Sequence, residues 1–189
     1  MSAQPFPSRH RLSVAEYYRM AEAGILNEDD RVELIEGEII DMPPIGANHT
    51  SVVKRLNAVF THSMGMSAIV SVQDPIRLNE RCEPQPDIAL LRYREDFYGH
   101  AHPGPEAVLL VVEVADSSLR YDKEIKLPLY ARHGIPEVWI VDLENQRLEI
   151  HRRPVKDGYL EKRCPGREET IAPEALVECR VALGKLFQP

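Results

Sequence analysis

The stretch Ala107–Ala115, AVLLVVEVA, constrains the fold more than any other part of the chain. Six apolar residues run up to Glu113 and two follow it. A run with no polar alternation fits a strand covered on both faces, as central parallel strands are. A lone carboxylate there costs several kcal/mol unless it is neutralised, paired or bound to a metal. Glu113 therefore needs a partner.

The sequence around this strand supplies a frame. After it comes DSSLRYDKEIKLPLYARHGIPEVWIVDL, in which Ser117 and Ser118 cap a helix, Gly134 ends it, and EVWIVDL is a second apolar strand. Pro128 kinks that helix or marks its true start. Such a β–α–β unit predicts a parallel pair with a right-handed crossover. Upstream, Ser13 and Glu16 form a capping box for a short helix stopped by Gly24. RVELIEGEIIDM reads as a hairpin turning at Glu36-Gly37. Val52, Val53, Leu56, Val59 and Phe60 have helical spacing within 47–64. SAIVSVQDPIRLN is extended and broken near Asp74-Pro75, and PQPDIALLR is a strand with Asp87 at its start. RLEIHRRP and GYLEKRC predict antiparallel strands, and ALVECRVALGKLF a small terminal element. The expected fold class is α/β (α+β), a mixed sheet flanked by helices. Residues 1–12 are expected to be a loose arm and 13–189 a single domain.

The 189 residues contain no apolar run near the roughly 18 needed for a membrane span, and the N-terminus has no signal-peptide core. A cytoplasmic protein is expected. Cys82, Cys164 and Cys179 form no C-x-x-C pair, so reduced thiols are expected. The net charge of −7 argues against a whole-surface nucleic-acid binder but not against a nuclease, whose carboxylates add negative charge. Between Arg147 and Arg163 six Lys/Arg face three acids, with His151 added. That stretch reads as a solvated strand face, with a phosphate-contacting edge as the minority reading.

If the strands of Asp87 and Glu113 are adjacent, the two carboxylates converge. Hard cations need such a pair, with water and substrate phosphate filling the other positions. An ion held there polarises a phosphodiester and lowers the pKa of bound water. Lys126, on the crossover helix 13 residues beyond Glu113, is the lysine best placed to orient water or stabilise developing charge. Asp122 lies four residues before it, on the same helical face.

Pro86-Asp87 followed by Glu113-Val114-Ala115 resembles the PD-(D/E)XK nuclease superfamily, which has the restriction-endonuclease-like fold. RVELIEGEIIDMPPIGANH, PQPDIALL and VVEVADSSLRYDKEIKLPLYARHGIPEVWIVD more closely resemble the bacterial Uma-two family of restriction endonucleases, a domain of unknown function. The resemblance spans about residues 13–160. It implies metal-dependent phosphodiester hydrolysis, with Asp87 and Glu113 holding Mg²⁺ or Mn²⁺. The superfamily lysine falls at position 115, where this chain has Ala115; Lys126 resembles the family's helical replacement. His49 matches a histidine ahead of the first long helix and is a possible accessory group near metal or phosphate. Glu36 and Asp122 are further accessory candidates, and which of Glu33, Glu36 and Glu38 faces the site is left open. The resemblance also implies DNA rather than RNA as partner, a homodimer, and no membrane.

Plainer readings accompany these. Glu113 could pair with a buried cation, Asp87 could be a turn residue, and Lys126 a surface lysine paired with Asp122. Asp122 suits the positive end of a helix better than a metal. His49 reads as a helix-start residue, His100 and His102 as solvated, and Trp139 and Tyr130 as core. No G-x-S-x-G elbow, P-loop or G-x-G-x-x-G occurs. A catalytically inactive nuclease-fold module acting with a partner is the alternative function, and an enzyme acting on RNA or a nucleotide is a weaker third.

Overall fold

The computed structural model describes residues 9–27 and 29–188. Much of the expected arm, residues 1–8, lies outside them. In chain order the elements are α1 (Val14–Glu22), β1 (Val32–Ile35), β2 (Glu38–Asp41), α2 (Ala47–Met64), β3 (Ala68–Val72), β4 (Ile88–Arg92) and β5 (Val108–Ala115). There follow α3 (Leu119–Tyr121), a π turn (Asp122–Lys126), α4 (Leu127–Arg132), β6 (Glu137–Asp142), β7 (Arg147–Val155) and β8 (Gly158–Arg163). Two short strands, β9 (Thr170–Ile171) and β10 (Val181–Ala182), and α5 (Leu183–Leu186) complete the chain.

Six strands form one sheet in the order β3-β4-β5-β6-β7-β8. Only β5 and β6 pair in parallel, with Glu113 opposite Ile140; the other neighbours are antiparallel. This is the mixed sheet expected from the β–α–β unit. All eight residues of β5 are buried because both faces are covered. Leu110, Val112 and Val114 pack with Val52, Leu56 and Phe60 of α2. Val111 and Ala115 pack with Leu129 and Tyr130 of α4. Alternation therefore turns Glu113 toward the crossover helix.

Local chemistry explains the elements that frame the site. Ser13 and Glu16 make the reciprocal capping box of α1. The β1–β2 hairpin turns on Glu36 and Gly37, both at positive φ (50° and 79°), as a type I′ turn requires. Pro128 has no N–H to give the Glu124 carbonyl, and its ring would press on that group in a regular α-helix. The chain answers with a π turn directly before it, closed by Leu127 N–H donating to the Asp122 carbonyl. Ser118 makes no side-chain cap, contrary to expectation; its own backbone is helical and its hydroxyl is used elsewhere.

In the basic stretch after Arg147, most charged side chains are exposed, as expected of a solvated strand face, with two exceptions. Glu149 and His151 are buried, and Lys123 and Lys162 close on the Glu149 carboxylate at 2.9 and 3.0 Å. His100 and His102 are exposed, the latter stacked on Tyr18. The three cysteines are free. Among the described residues, no helix is long and apolar enough to cross a membrane.

Candidate active site

Asp87 and Glu113 meet because their strands are neighbours. Ile88 pairs with Val112, so the antiparallel register brings Asp87 opposite Glu113. Asp87 is fixed on both oxygens. Oδ2 accepts the Val114 N–H at 2.8 Å, and Oδ1 accepts from Gln73 at 3.3 Å and lies 3.0 Å from His49 Nε2. Gln73 takes a positive φ (56°) just after β3, where the extended segment breaks.

Glu113 is 3% exposed, and its Oε1 accepts from the Tyr130 hydroxyl at 2.5 Å and from Lys126 Nζ at 3.2 Å. Lys126 thus reaches back from the π turn to the strand. It also lies 3.1 Å from Glu33 of β1. Glu33, 2% exposed, accepts the Gln85 backbone N–H as well, which ties the hairpin to the segment leading into Asp87. Asp122, buried at the start of the π turn, accepts the Ser118 hydroxyl at 2.7 Å.

The electrostatics follow from burial and an excess of acids. Burial raises Glu113 to about 8; Lys126 opposes the rise, and Asp122 and Asp87 add to it. Burial likewise raises Asp122 to about 6, against the pull of Lys126 and of Ser118's hydrogen bond. For Lys126 burial alone would favour the neutral amine, but Glu113, Glu33 and Asp122 outweigh it and raise its pKa, so it stays an ammonium. The Tyr130 phenol is raised well above its ordinary value by burial and by the acids beside it.

These groups line a cavity of about 350 Å³. Glu33, Asp87, Glu113, Asp122, Lys126 and His49 all border it. Two buried polar atoms on bordering residues have no hydrogen-bond partner, His49 Nδ1 and the Tyr121 hydroxyl. Among the described residues, no group of three or more His, Cys, Asp or Glu is arranged to hold a metal ion. Magnesium needs fewer, since it keeps waters and takes one or two carboxylates plus substrate oxygens. Asp87 and Glu113 are hard oxygen donors, and the acids around them outnumber the cations. In ligand type and charge the residues fit a divalent ion.

Five candidate residues are therefore brought together: Asp87, Glu113, Lys126, His49 and Asp122. Glu36 is not. It occupies the exposed hairpin turn and pairs with Arg132 at 2.8 Å, because the positive-φ turn position points it away from the sheet. Glu38 is also exposed and pairs with Arg11. Glu33 is the hairpin acid that faces the cavity, and Tyr130 offers its hydroxyl to the site while its ring packs in the core. The sequence left Glu33 open among the three hairpin acids and read Tyr130 as core alone. Both fall within the stretches carrying the family resemblance, which was the one signal for the Tyr130 hydroxyl.

Comparison with known proteins supports this picture at the level of fold and family. The chain is similar to a crystal structure from Anabaena variabilis ATCC 29413 described as a "putative nuclease belonging to DUF820". The TM-score is 0.71 at 17% sequence identity, over 93% of this chain and 97% of that one. No curated protein matches the chain. Residues 14–184 match the model of a family described as "Putative restriction endonuclease", and the chain belongs to that family, Uma2.

Proposed function

We propose that the protein is a metal-dependent phosphodiesterase, a DNA endonuclease, in which Asp87 and Glu113 hold Mg²⁺ or Mn²⁺ and Lys126 assists the attack of water. The observation that carries this reading is the contact of Lys126 Nζ with the Glu113 carboxylate, 3.2 Å, inside one cavity that Asp87 also borders. A bound divalent ion would supply activated water and neutralise charge developing on the phosphoryl group.

The chain's own residues then have distinct tasks. Lys126 is held protonated by three acids, so it donates hydrogen bonds and positive charge rather than abstracting a proton. Glu33 is a second acid on the ammonium, at 3.1 Å beside Glu113 at 3.2 Å. Tyr130 and the Val114 N–H hold the two metal-facing carboxylates in orientation. His49 presents its ring at Asp87 and is an accessory group for the metal or the phosphate. Asp122 is an accessory acid that adds to the negative field.

Purified protein should nick or linearise plasmid DNA with Mn²⁺ or Mg²⁺, and Glu113→Ala should abolish it. No cleavage with either metal would refute the enzyme reading, and cleavage persisting in Glu113→Ala would refute the assignment. DNA in preference to RNA, a homodimeric state in which two sites cut both strands, and a cytoplasmic location complete the proposal. Gel filtration at the monomer mass of 21.5 kDa would remove the dimer.

One observation favours a second reading, an inactive nuclease-fold binding module. Protein groups already occupy both Asp87 oxygens and Glu113 Oε1. Calorimetry separates the two, since the module requires that the wild type bind no Mn²⁺.

A further inference from the structure

Above the buried acids, the cavity has an apolar wall that phosphodiester chemistry alone does not require. Ile40 of β2 and then Met42, Pro43, Pro44 and Ile45 of the loop leading into α2 all border it. The two consecutive prolines restrict this loop, and the Arg31 guanidinium donates to the Pro43 carbonyl at 2.8 Å. The wall is thus shaped in advance. Tyr121 borders the cavity as well, with a buried hydroxyl that has no partner. A volume of about 350 Å³ sits at the small end of ligand pockets, which run from roughly 300 to 1,000 Å³.

The charges on the rim point away from a continuous duplex. A duplex presents phosphates on both strands, and proteins that grip it answer with a spread of Lys and Arg. Here the bordering cations are two: the exposed Arg31, one of whose nitrogens donates to Pro43, and Lys126, 5% exposed and within 3.2 Å of both Glu33 and Glu113. The exposed carboxylates at the border are Asp41 and Asp116. Flanking phosphates laid across this mouth would meet acids and the exposed Ile45 side chain. One nucleotide turned inward meets something different: its base or sugar lies on the apolar wall, with Tyr121 as a hydrogen-bonding group, while its phosphate faces the Asp87 and Glu113 carboxylates. Enzymes with recessed sites reach nucleotides in this way, by unpairing them first or by using strands already single.

We infer that the cavity takes a single unpaired nucleotide, so that the preferred nucleic acid is single-stranded or locally unpaired rather than a continuous duplex. This rests on the phosphodiesterase reading for its chemistry but not for its geometry, and the test separates the two. Fluorescence anisotropy in Ca²⁺, and cleavage in Mn²⁺, would compare a DNA single strand, the matching blunt duplex, and the same duplex with a central bulge. The single strand and the bulged duplex should bind tighter than the blunt duplex by about tenfold, the scale of one favourable base contact. Ile45→Asp should narrow that preference, weakening the single strand and the bulged duplex more than the blunt duplex. Equal binding of all three substrates, or an Ile45→Asp effect equal on all three, would overturn the inference. Preferential binding without any cleavage would refute the hydrolase while supporting the occupant.

Discussion

Removing the ammonium of Lys126 tests the electrostatic core of the site. Lys126→Met keeps most of the aliphatic stem but strands Glu33 and Glu113, which it meets at 3.1 and 3.2 Å with all three side chains at most 6% exposed. Breaking one partner out of a buried ion pair costs about 3–5 kcal/mol, because the other charge stays buried without compensation. For a chain of this length that is a fall in Tm of about 6–20 °C. The loss should depend on pH in a definite sense. Burial already raises Glu113 to about 8, with Lys126 opposing it; without the lysine the carboxyl is raised further. A group with a raised folded-state pKa binds its proton more tightly when folded, so its favourable contribution is complete below the unfolded value and disappears as pH climbs through the folded one. The gap between variant and wild type should therefore be small near pH 5 and largest above pH 8. Thermal unfolding followed by circular dichroism in EDTA, at a series of pH values, reads it directly. Adding Glu33→Gln to Lys126→Met should recover part of the loss. A Lys126→Met protein melting within a degree or two of wild type at pH 8.5 would refute the argument that this lysine holds the acids together.

Tyr130→Phe keeps the packed ring and deletes the donor to Glu113, so above pH 8, where that carboxyl is ionised, it should cost about 1.5–3 kcal/mol, the scale of a hydrogen bond to a charged group, as measured by chemical denaturation. Burial would raise Glu149, but hydrogen bonds from Lys123 and Lys162 outweigh it and lower the carboxyl to about 2. Its contribution is then fully present above the ordinary carboxylate range and is lost as pH falls toward 2, so Glu149→Gln should flatten the acid side of the stability profile. Mn²⁺ at a hundred times its Kd should stabilise the wild type by about 2.7 kcal/mol, and Asp87→Asn should abolish that rise in Tm.

Most of the frame was legible because the patterns were unambiguous. The apolar spacing of Val52, Val53, Leu56 and Phe60 gave α2, and the unbroken run around Glu113 gave a doubly covered strand. Glu36-Gly37 located the turn because a type I′ turn demands such residues. The orientation of the hairpin acids was not legible. All four residues of β1 are buried, so no polar–apolar contrast marks the face of Glu33; what decides it is the long-range contact with Gln85. Tyr130 was hidden for another reason. Its ring is core, and sequence patterns cannot separate a core ring from the hydroxyl at its tip. Ser117 and Ser118 looked like caps by residue type alone, whereas the Ser118 hydroxyl is committed to Asp122.

Two buried glutamates on one face of the sheet differ in how their charge is compensated. Glu113 of β5 and Glu149 of β7 both lie opposite Ile140, so they belong to a single row across three strands. Burial disfavours the ionised form of both, yet they move in opposite directions. Glu149 is met by two lysines, and its carboxyl falls to about 2. Glu113 shares one lysine with Glu33 and Asp122, and its carboxyl rises to about 8. A salt bridge kept only for stability leaves no buried carboxylate uncompensated, and in the Glu149 cluster two lysines meet one acid. The Glu113 cluster leaves an excess of buried negative charge beside a cavity, which stability alone would remove by replacing an acid. An excess of this kind is relieved by a proton or by a cation from solution. Of these, the cation leaves the carboxylates ionised, the state that the proposed phosphodiester chemistry uses.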